Sequence, residues 1–344
     1  MGDSGPRILV IRTSALGDIV HSLPVLRALR RQLPAARIGW VVEAHFAPLL
    51  EGHPDLDELL TVRLRTWRHQ LSSTRTWKEL RLFHQQLERF SPEITLDLMG
   101  NHKAGFLGAL SLADRRIGYE RSARREPSSA IWISEPVEPR GAHVVDQMLS
   151  LLDALDLPPE PADFGGDLLL PEAAPAVREV LEAETDPRVV IVPGAGWDNK
   201  RYPPSLWGEV ARLLAVDPGI PSWVLPGPGE EALAREVVAA SQRSAQVLSL
   251  PGLDALAAAL RRADLVLGGD TGPLHLAQAL DRSVLCLMGP TAPERNGPYG
   301  EPNRALWHQQ SCSFCHKRRP ETRPCLHNLH PNVVAERARE LLSK

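Results

Sequence analysis

Apolar positions in this chain fall into short unbroken runs that alternate with stretches of helical period, the pattern of buried parallel strands joined by amphipathic helices. Residues 7–12, Arg-Ile-Leu-Val-Ile-Arg, predict the first strand. A loop from Thr13 to Asp18 follows, and then Ile19, Leu23, Leu26, Leu29 and Leu33 line one side of a helix. Pro24 suits the first turn of that helix and Ser22 its cap. Strands over 38–42 and 93–99, and helices near 103–112 and 144–155, continue the alternation. Residues 156–175 interrupt it with prolines and glycines, Pro158, Pro159, Gly165, Gly166 and Pro171 among them. The pattern then restarts, with strands over 188–193, 222–226, 246–250, 264–268 and 283–288 and helices over 205–215, 230–242, 254–262 and 273–280. The fold class expected is therefore α/β, with two Rossmann-like, doubly wound domains in series over 1–165 and 166–330. Residues 331–344 predict a terminal helix whose Val333, Val334, Ala338, Leu341 and Leu342 need a surface to cover.

Composition narrows this picture without redrawing it. A length of 344 residues suits two domains, and 43% hydrophobic with 24% charged residues is a soluble globular balance. The net charge of −3 argues against a general nucleic-acid binder. No apolar stretch reaches the roughly 20 residues that span a bilayer. The N-terminal residues lack a signal-peptide layout, and four cysteines, one of them (Cys286) inside an apolar run, make no disulfide framework, so a cytoplasmic location is expected.

Ligands of open parallel sheets bind beyond the carboxyl ends of the strands, so the loops there hold the candidate chemistry, in a cleft that two such domains would form by facing one another. Gly268-Gly269-Asp270-Thr271-Gly272-Pro273 follows one predicted strand and opens a helix, presenting free N–H groups and a positive dipole end suited to phosphate. Asp18, after the first strand, has the chemistry of a general base and equally that of a helix cap. Gly194-Ala195-Gly196 lacks the third glycine of a dinucleotide fingerprint and is not a P-loop, but Lys200 and Arg201 beyond it can neutralise a diphosphate. Glu230 and Glu231 can accept from ribose hydroxyls or complement a helix dipole. A lone Asp-Thr-Gly in an α/β setting does not make an aspartic protease, which needs two such carboxylates.

Basic residues are uneven. Arg63, Arg65, Arg68, Arg75, Lys78 and Arg81 form one cluster with Glu79 as the opposing charge, and Arg121, Arg124 and Arg125 form another; both suit an anionic partner. Trp67 and Trp77 within the first cluster also suit a membrane interface. Cys312 and Cys315, with Cys325 and the nearby His316, His327 and His330, carry zinc-ligand types, yet a second Cys-x-x-Cys is missing and reduced thiols account for them equally.

Taken in order, residues 12–24 (Arg-Thr-Ser-Ala-Leu-Gly-Asp-Ile-Val-His-Ser-Leu-Pro), 125–129 (Arg-Glu-Pro-Ser-Ser), 197–203 (Trp-Asp-Asn-Lys-Arg-Tyr-Pro), 270–276 (Asp-Thr-Gly-Pro-Leu-His-Leu) and 289–293 (Gly-Pro-Thr-Ala-Pro) resemble glycosyltransferase family 9, the ADP-heptose:lipopolysaccharide heptosyltransferases, over nearly the whole chain. The resemblance implies a GT-B fold, with two Rossmann-like domains facing a central cleft and the C-terminal helix crossing back onto the first. It implies an inverting, metal-independent transfer of heptose from ADP-heptose to an anionic acceptor of the Kdo–lipid A type, with no cofactor, no metal and no nucleic acid, in the cytoplasm with peripheral contact at the inner membrane. By the same resemblance Asp18 is the catalytic base and Lys200 a catalytic donor-phosphate ligand. Gly194, Glu230 (with Glu231 adjacent), Asp270, Thr271, Gly272 and His275 contact the donor, and Arg65, Arg68 and Arg125 the acceptor. The Arg-x-Trp-Arg segment resembles members that add the first heptose to a Kdo residue, whereas Asn101-His102-Lys103 departs from the usual glycine-rich helix start. A GT-B nucleotide-sugar epimerase and a transferase acting on a protein acceptor are the alternatives.

Overall fold

A computed structural model describes residues 5–170, 175–183, 188–315 and 324–343, so Pro171 and His316 lie outside the described residues. The chain divides between Leu169 and Leu170, where the sequence pattern put the boundary between 165 and 166.

The first unit runs β1 (Arg7–Ile11), α1 (Leu16–Gln32), β2 (Arg37–Glu43), β3 (Glu58–Val62), α2 (Leu64–His69), α3 (Thr74–Phe90), β4 (Ile94–Asp97), α4 (His102–Leu110), β5 (Arg115–Tyr119), β6 (Glu135–Val137) and α5 (Val144–Leu149). Its six strands are all parallel, in the order β3-β2-β1-β4-β5-β6. Side chains alternate across a strand, so Leu9 and Ile11 of β1 join Trp67, Phe83, Leu87 and Phe90 on one face, while Ile8 and Val10, equally buried, serve the other. α1 begins earlier than its periodicity suggests. Asp18 already lies in its first turn, and Pro24 sits inside the helix rather than at its start. Ser22, expected as a cap, instead donates its hydroxyl to the Asp18 carbonyl at 2.7 Å. The helix expected over 144–155 is α-helical only to Leu149 and tightens to 3₁₀ geometry over Ser150–Leu155.

The second unit runs α6 (Pro175–Ala183), β7 (Val189–Val192), α7 (Pro204–Val216), β8 (Ser222–Val224), α8 (Glu231–Ala240), β9 (Ala245–Val247), α9 (Gly252–Arg261), β10 (Leu265–Gly269), α10 (Gly272–Ala279), β11 (Ser283–Met288), α11 (Pro293–Asn296), β12 (Ala305–Trp307), α12 (Pro324–His327) and α13 (Pro331–Leu342). Its sheet is again parallel and six-stranded, ordered β12-β11-β10-β7-β8-β9. In both sheets the strand order reverses once, beside β1 and β4 in the first and beside β7 and β10 in the second, and such a reversal opens a crevice at the carboxyl ends of the strands.

The terminal helix corrects one expectation. Where packing on the N-terminal domain was expected, its apolar stripe is spent on the second unit's own core: Val334, Ala335, Ala338 and Leu341 join Trp207, Val210 and Leu214 of α7 and Leu265 and Leu267 of β10. Arg339 reinforces this by donating to the carbonyls of Leu213 (3.0 Å) and Asp217 (2.7 Å) at the end of α7. Tyr202, in the loop after β7, donates its buried hydroxyl to the Leu329 carbonyl at 2.7 Å and so ties that loop to the approach of α13. Burial raises the Tyr202 phenol above its ordinary range. Tyr202→Phe strands the Leu329 carbonyl and should lower stability by about 1–3 kcal/mol. Urea unfolding of the full chain measures this, and an unshifted midpoint would show that the bond adds nothing.

Candidate functional site

In the second unit, the loops that leave the two strands at the reversal meet on one carboxylate. Asp270 directly follows β10 and is buried. Lys200, from the loop after β7, places Nζ 2.6 Å from Asp270 Oδ2. His275, one turn into α10, directs Nε2 to Asp270 Oδ1 at 3.0 Å, and Thr291, after β11, donates Oγ1 to Oδ2 at 2.7 Å. Burial alone would favour the neutral acid. The hydrogen bond from His275 and the charges of Lys200 and His275 outweigh it and hold the carboxyl far below the usual carboxylate range. The Lys200 ammonium also lies 4.8 Å over the Trp197 ring.

This convergence needs a bare backbone. A Cβ on Gly269 would stand 2.7 Å from the Lys200 carbonyl oxygen, so only glycine lets the Lys200 loop pass over the end of β10. The helix α10 starts at Gly272, with Pro273 in its first turn. Thr271 precedes it as the N-cap, and its buried Oγ1 has no hydrogen-bond partner among the described residues. The first turn of any helix also leaves N–H groups without intrahelical partners. A cation, an unpaired hydroxyl and a helix N-terminus at one end of the sheet suit an anionic group.

Next to this cluster, Glu230 turns its carboxylate back onto the Gly227 N–H at 2.9 Å, and a Cβ on Gly194 would overlap it at 1.7 Å from Oε2. Glu231 is exposed at the start of α8, so Glu230 is the one that faces the Gly194 loop. Arg201, considered with Lys200 for a diphosphate, is committed elsewhere: it donates Nε to the Ala195 carbonyl and pairs with Asp198 at 3.0 Å and Glu230 at 3.6 Å.

In the first unit, Asp18 accepts from the Ala15 N–H at 3.1 Å and from Arg12 at 2.6 Å. Arg12 is buried and also donates to the Leu98 carbonyl, while Asp18 stays half exposed. Arg65 and Arg68 stand exposed on α2. That helix is seated by Glu43, which ends β2 and receives the N–H groups of Leu64 and Arg65; burial raises the Glu43 carboxyl against those bonds and against His45 and Lys103. Arg125 is exposed, but its neighbour Arg124 is not a surface cation as its cluster suggested. The Arg124 guanidinium is wholly buried, 2.6 Å from Asp97 at the end of β4, and donates to Ser129 Oγ and the Tyr119 carbonyl. Asp97 accepts in turn from the N–H groups of Met99 and Gly100, so one ion pair sets the loops after both β4 and β5. Trp67 is likewise no interface residue. It is buried against Phe83 and donates Nε1 to Glu79.

The structure thus gathers Lys200, Asp270, Thr271, Gly272 and His275, with Gly194 and Glu230 beside the same sheet's next strand, and sets Asp18, Arg65, Arg68 and Arg125 on loops and helices that follow strands of the first sheet. Arg12, Asp97, Glu43 and Thr291 were not singled out from sequence. Among the described residues no group of three or more His, Cys, Asp or Glu side chains is arranged to hold a metal ion. Cys312 is exposed and Cys325 buried.

Residues 80–325 match the model of Glycosyltransferase family 9 (heptosyltransferase). The chain is 32% identical over 323 residues to lipopolysaccharide heptosyltransferase 1 of Pseudomonas aeruginosa, covering 91% of this chain and 86% of that one. It is 28% identical to the protein of the same name from Escherichia coli, covering 86% and 91%. Among solved structures it is similar to E. coli heptosyltransferase WaaC with ADP-2-deoxy-2-fluoro heptose, at 25% identity and a TM-score of 0.75 over 97% of this chain and 99% of that one. E. coli ADP-heptose lps heptosyltransferase II shares the fold, with a TM-score of 0.74.

Arg124→Met leaves Asp97 charged and buried without its partner. It should destabilise the first unit by about 3–5 kcal/mol, read as an early transition in chemical unfolding. Retention of the wild-type midpoint would show that the loops after β4 and β5 are held by other contacts.

Proposed function

Because the chain belongs to glycosyltransferase family 9, we propose that it transfers heptose from ADP-heptose to the anionic Kdo region of a lipid-borne lipopolysaccharide inner core. In this reading it is an inverting enzyme that uses no metal ion, works on the cytoplasmic side and touches the inner membrane peripherally. The observation that carries it is the buried Lys200–Asp270–His275 cluster at the strand-order reversal, beside the helix that begins at Gly272. Lys200, the Thr271 hydroxyl and the free N–H groups of the first turn of α10 take the donor diphosphate. That fixed positive charge does the work for which other transferases recruit a divalent cation. Glu230 accepts from ribose hydroxyls. Asp270 and His275 act through Lys200, by holding it.

The acceptor hydroxyl attacks the anomeric carbon on the face opposite the diphosphate. Its proton passes to the Asp18 carboxylate, the bond from the anomeric carbon to the β-phosphate oxygen breaks, and the electron pair leaves with ADP. Arg12 aims one oxygen of Asp18 inward and leaves the carboxylate half exposed to receive the proton. Arg65, Arg68 and Arg125 meet the acceptor's carboxylate and phosphates, where forked guanidinium donors suit planar anions.

Asp18→Asn keeps the size of the side chain and removes the base. ADP-heptose binding should persist while turnover falls about 10²–10⁴-fold. Isothermal titration with the donor and single-turnover transfer to a Kdo-bearing acceptor separate the two effects. Near-normal turnover would remove Asp18 as the base, and conversion of the nucleotide sugar without an acceptor would favour the epimerase alternative.

A further inference from the structure

The outward face of α3, with Leu71 in the turn before it, has a composition that neither the core nor the candidate site uses. Leu71, Trp77 and Leu82 are 58%, 61% and 59% exposed, among the most exposed large apolar side chains of the first unit. They stand among cations: apart from Arg65 and Arg68, assigned to the acceptor, residues 63–82 carry Arg63, Arg75, Lys78 and Arg81 and one carboxylate, in a chain whose net charge is −3. That carboxylate, Glu79, is turned to Trp67 Nε1 at 2.8 Å and Arg75 at 3.0 Å. Lys78 and Arg81 have no acidic partner among the described residues and point to solvent. At about 100° per residue, Trp77, Arg81, Lys78 and Leu82 span roughly 140° of the side of α3 opposite its buried Phe83 and Leu87.

We infer that this face seats the protein on an anionic phospholipid surface. The inference rests on the lipid-borne acceptor of the proposed function and names the surface that makes the membrane contact. Charge complementarity selects the occupant, since Lys78 and Arg81, exposed beside the apolar side chains, attract an anionic surface. Shape selects a bilayer over an acidic protein. A convex side of a single helix offers no groove to a folded partner, whereas lipid headgroups conform to it and accept apolar side chains between them. Trp77 is held for this use: its Nε1 donates to the Leu71 carbonyl at 2.8 Å, which lays the ring beside Leu71 instead of into the core. Lys78 and Arg81 can extend their charged ends past the apolar pair to headgroup level.

Sedimentation of the full chain with sucrose-loaded vesicles tests the inference, using phosphatidylcholine alone and phosphatidylcholine mixed with phosphatidylglycerol, at about 0.05 M and 0.5 M salt. Partitioning should require phosphatidylglycerol and fall steeply at the higher salt. The pair Lys78→Gln and Arg81→Gln should lower it roughly twenty-five-fold, and Trp77→Ala with Leu82→Ala roughly tenfold. Both variants should transfer heptose to a deacylated, water-soluble Kdo acceptor at the wild-type rate, with unchanged circular dichroism. A wild-type protein that glycosylates this acceptor but ignores anionic vesicles overturns the docking face alone. Variants that partition like the wild type also overturn it, because the contact then lies elsewhere. Absence of heptose transfer to any acceptor overturns the function on which the inference rests.

Discussion

The charge on Asp270 is the constraint around which the second unit's loops are arranged. An ionised carboxylate removed from water is strongly destabilising unless several donors surround it, and removing one partner exposes the cost of the rest. Here the donors come from two loops and a helix: Lys200 after β7, Thr291 after β11 and His275 within α10. A single acid therefore fixes the carboxyl ends of three adjacent strands against each other. The glycine at 269 is a consequence, since the cation that satisfies Asp270 arrives on backbone that leaves no room for a Cβ. Tyr202, two residues beyond Lys200, then anchors the same loop to the approach of the terminal helix, so its position depends on core packing as well as on charge.

The first unit solves the same problem with the signs exchanged. Arg12 follows β1 as Lys200 follows β7, and each is paired with an aspartate at 2.6 Å. In the first pair the cation is the buried member, 9% exposed against 44% for Asp18. In the second the acid is more deeply buried, 7% exposed against 16% for Lys200. In each pair the more buried member orients the more exposed one. The transfer proposed above would use the acid of the first pair to take a proton and the cation of the second to meet a diphosphate.

The parts of this arrangement that follow from local pattern were legible in the sequence. β1, β7, β10 and β11 are uninterrupted apolar runs because both their faces are covered, and the loops behind them contain Asp18, Lys200 and Asp270. β3, β5 and β6 escaped because they lie toward a sheet edge and carry charge or proline, as Arg115-Arg116 in β5 and Glu135-Pro136 in β6 illustrate, and β12 because it is an edge strand of only three residues. Arg124 and Arg125 are adjacent and chemically alike. What separates them is Asp97, 27 residues away, whose placement inside an apolar strand was the one available signal that a buried cation must exist. Trp67 and Trp77 differ in the same way, since helical spacing tells which residues share a side but not which side meets the core until Phe83 is placed. The terminal helix was read correctly as an apolar stripe in need of cover, and its cover was misassigned because α7 and β10 offer a matching face that only the tertiary structure displays.

The Gly-x-Gly after β7 illustrates how one motif changes meaning with its surroundings. In a dinucleotide site such glycines let backbone approach a pyrophosphate. Here Gly194 is small because the Glu230 carboxylate occupies the space its Cβ would need, while a Cβ on Gly196 would meet nothing within 4 Å. A carboxylate repels phosphate and accepts from hydroxyls, so this end of β7 and β8 is unsuited to a diphosphate and suited to a sugar ring. Positive charge is concentrated instead where β7 and β10 part, at Lys200 and the start of α10. The carboxyl end of the sheet thus carries a hydrogen-bond acceptor beside β7 and β8 and a cation beside β7 and β10, the polarity that the proposed nucleoside diphosphate sugar would require.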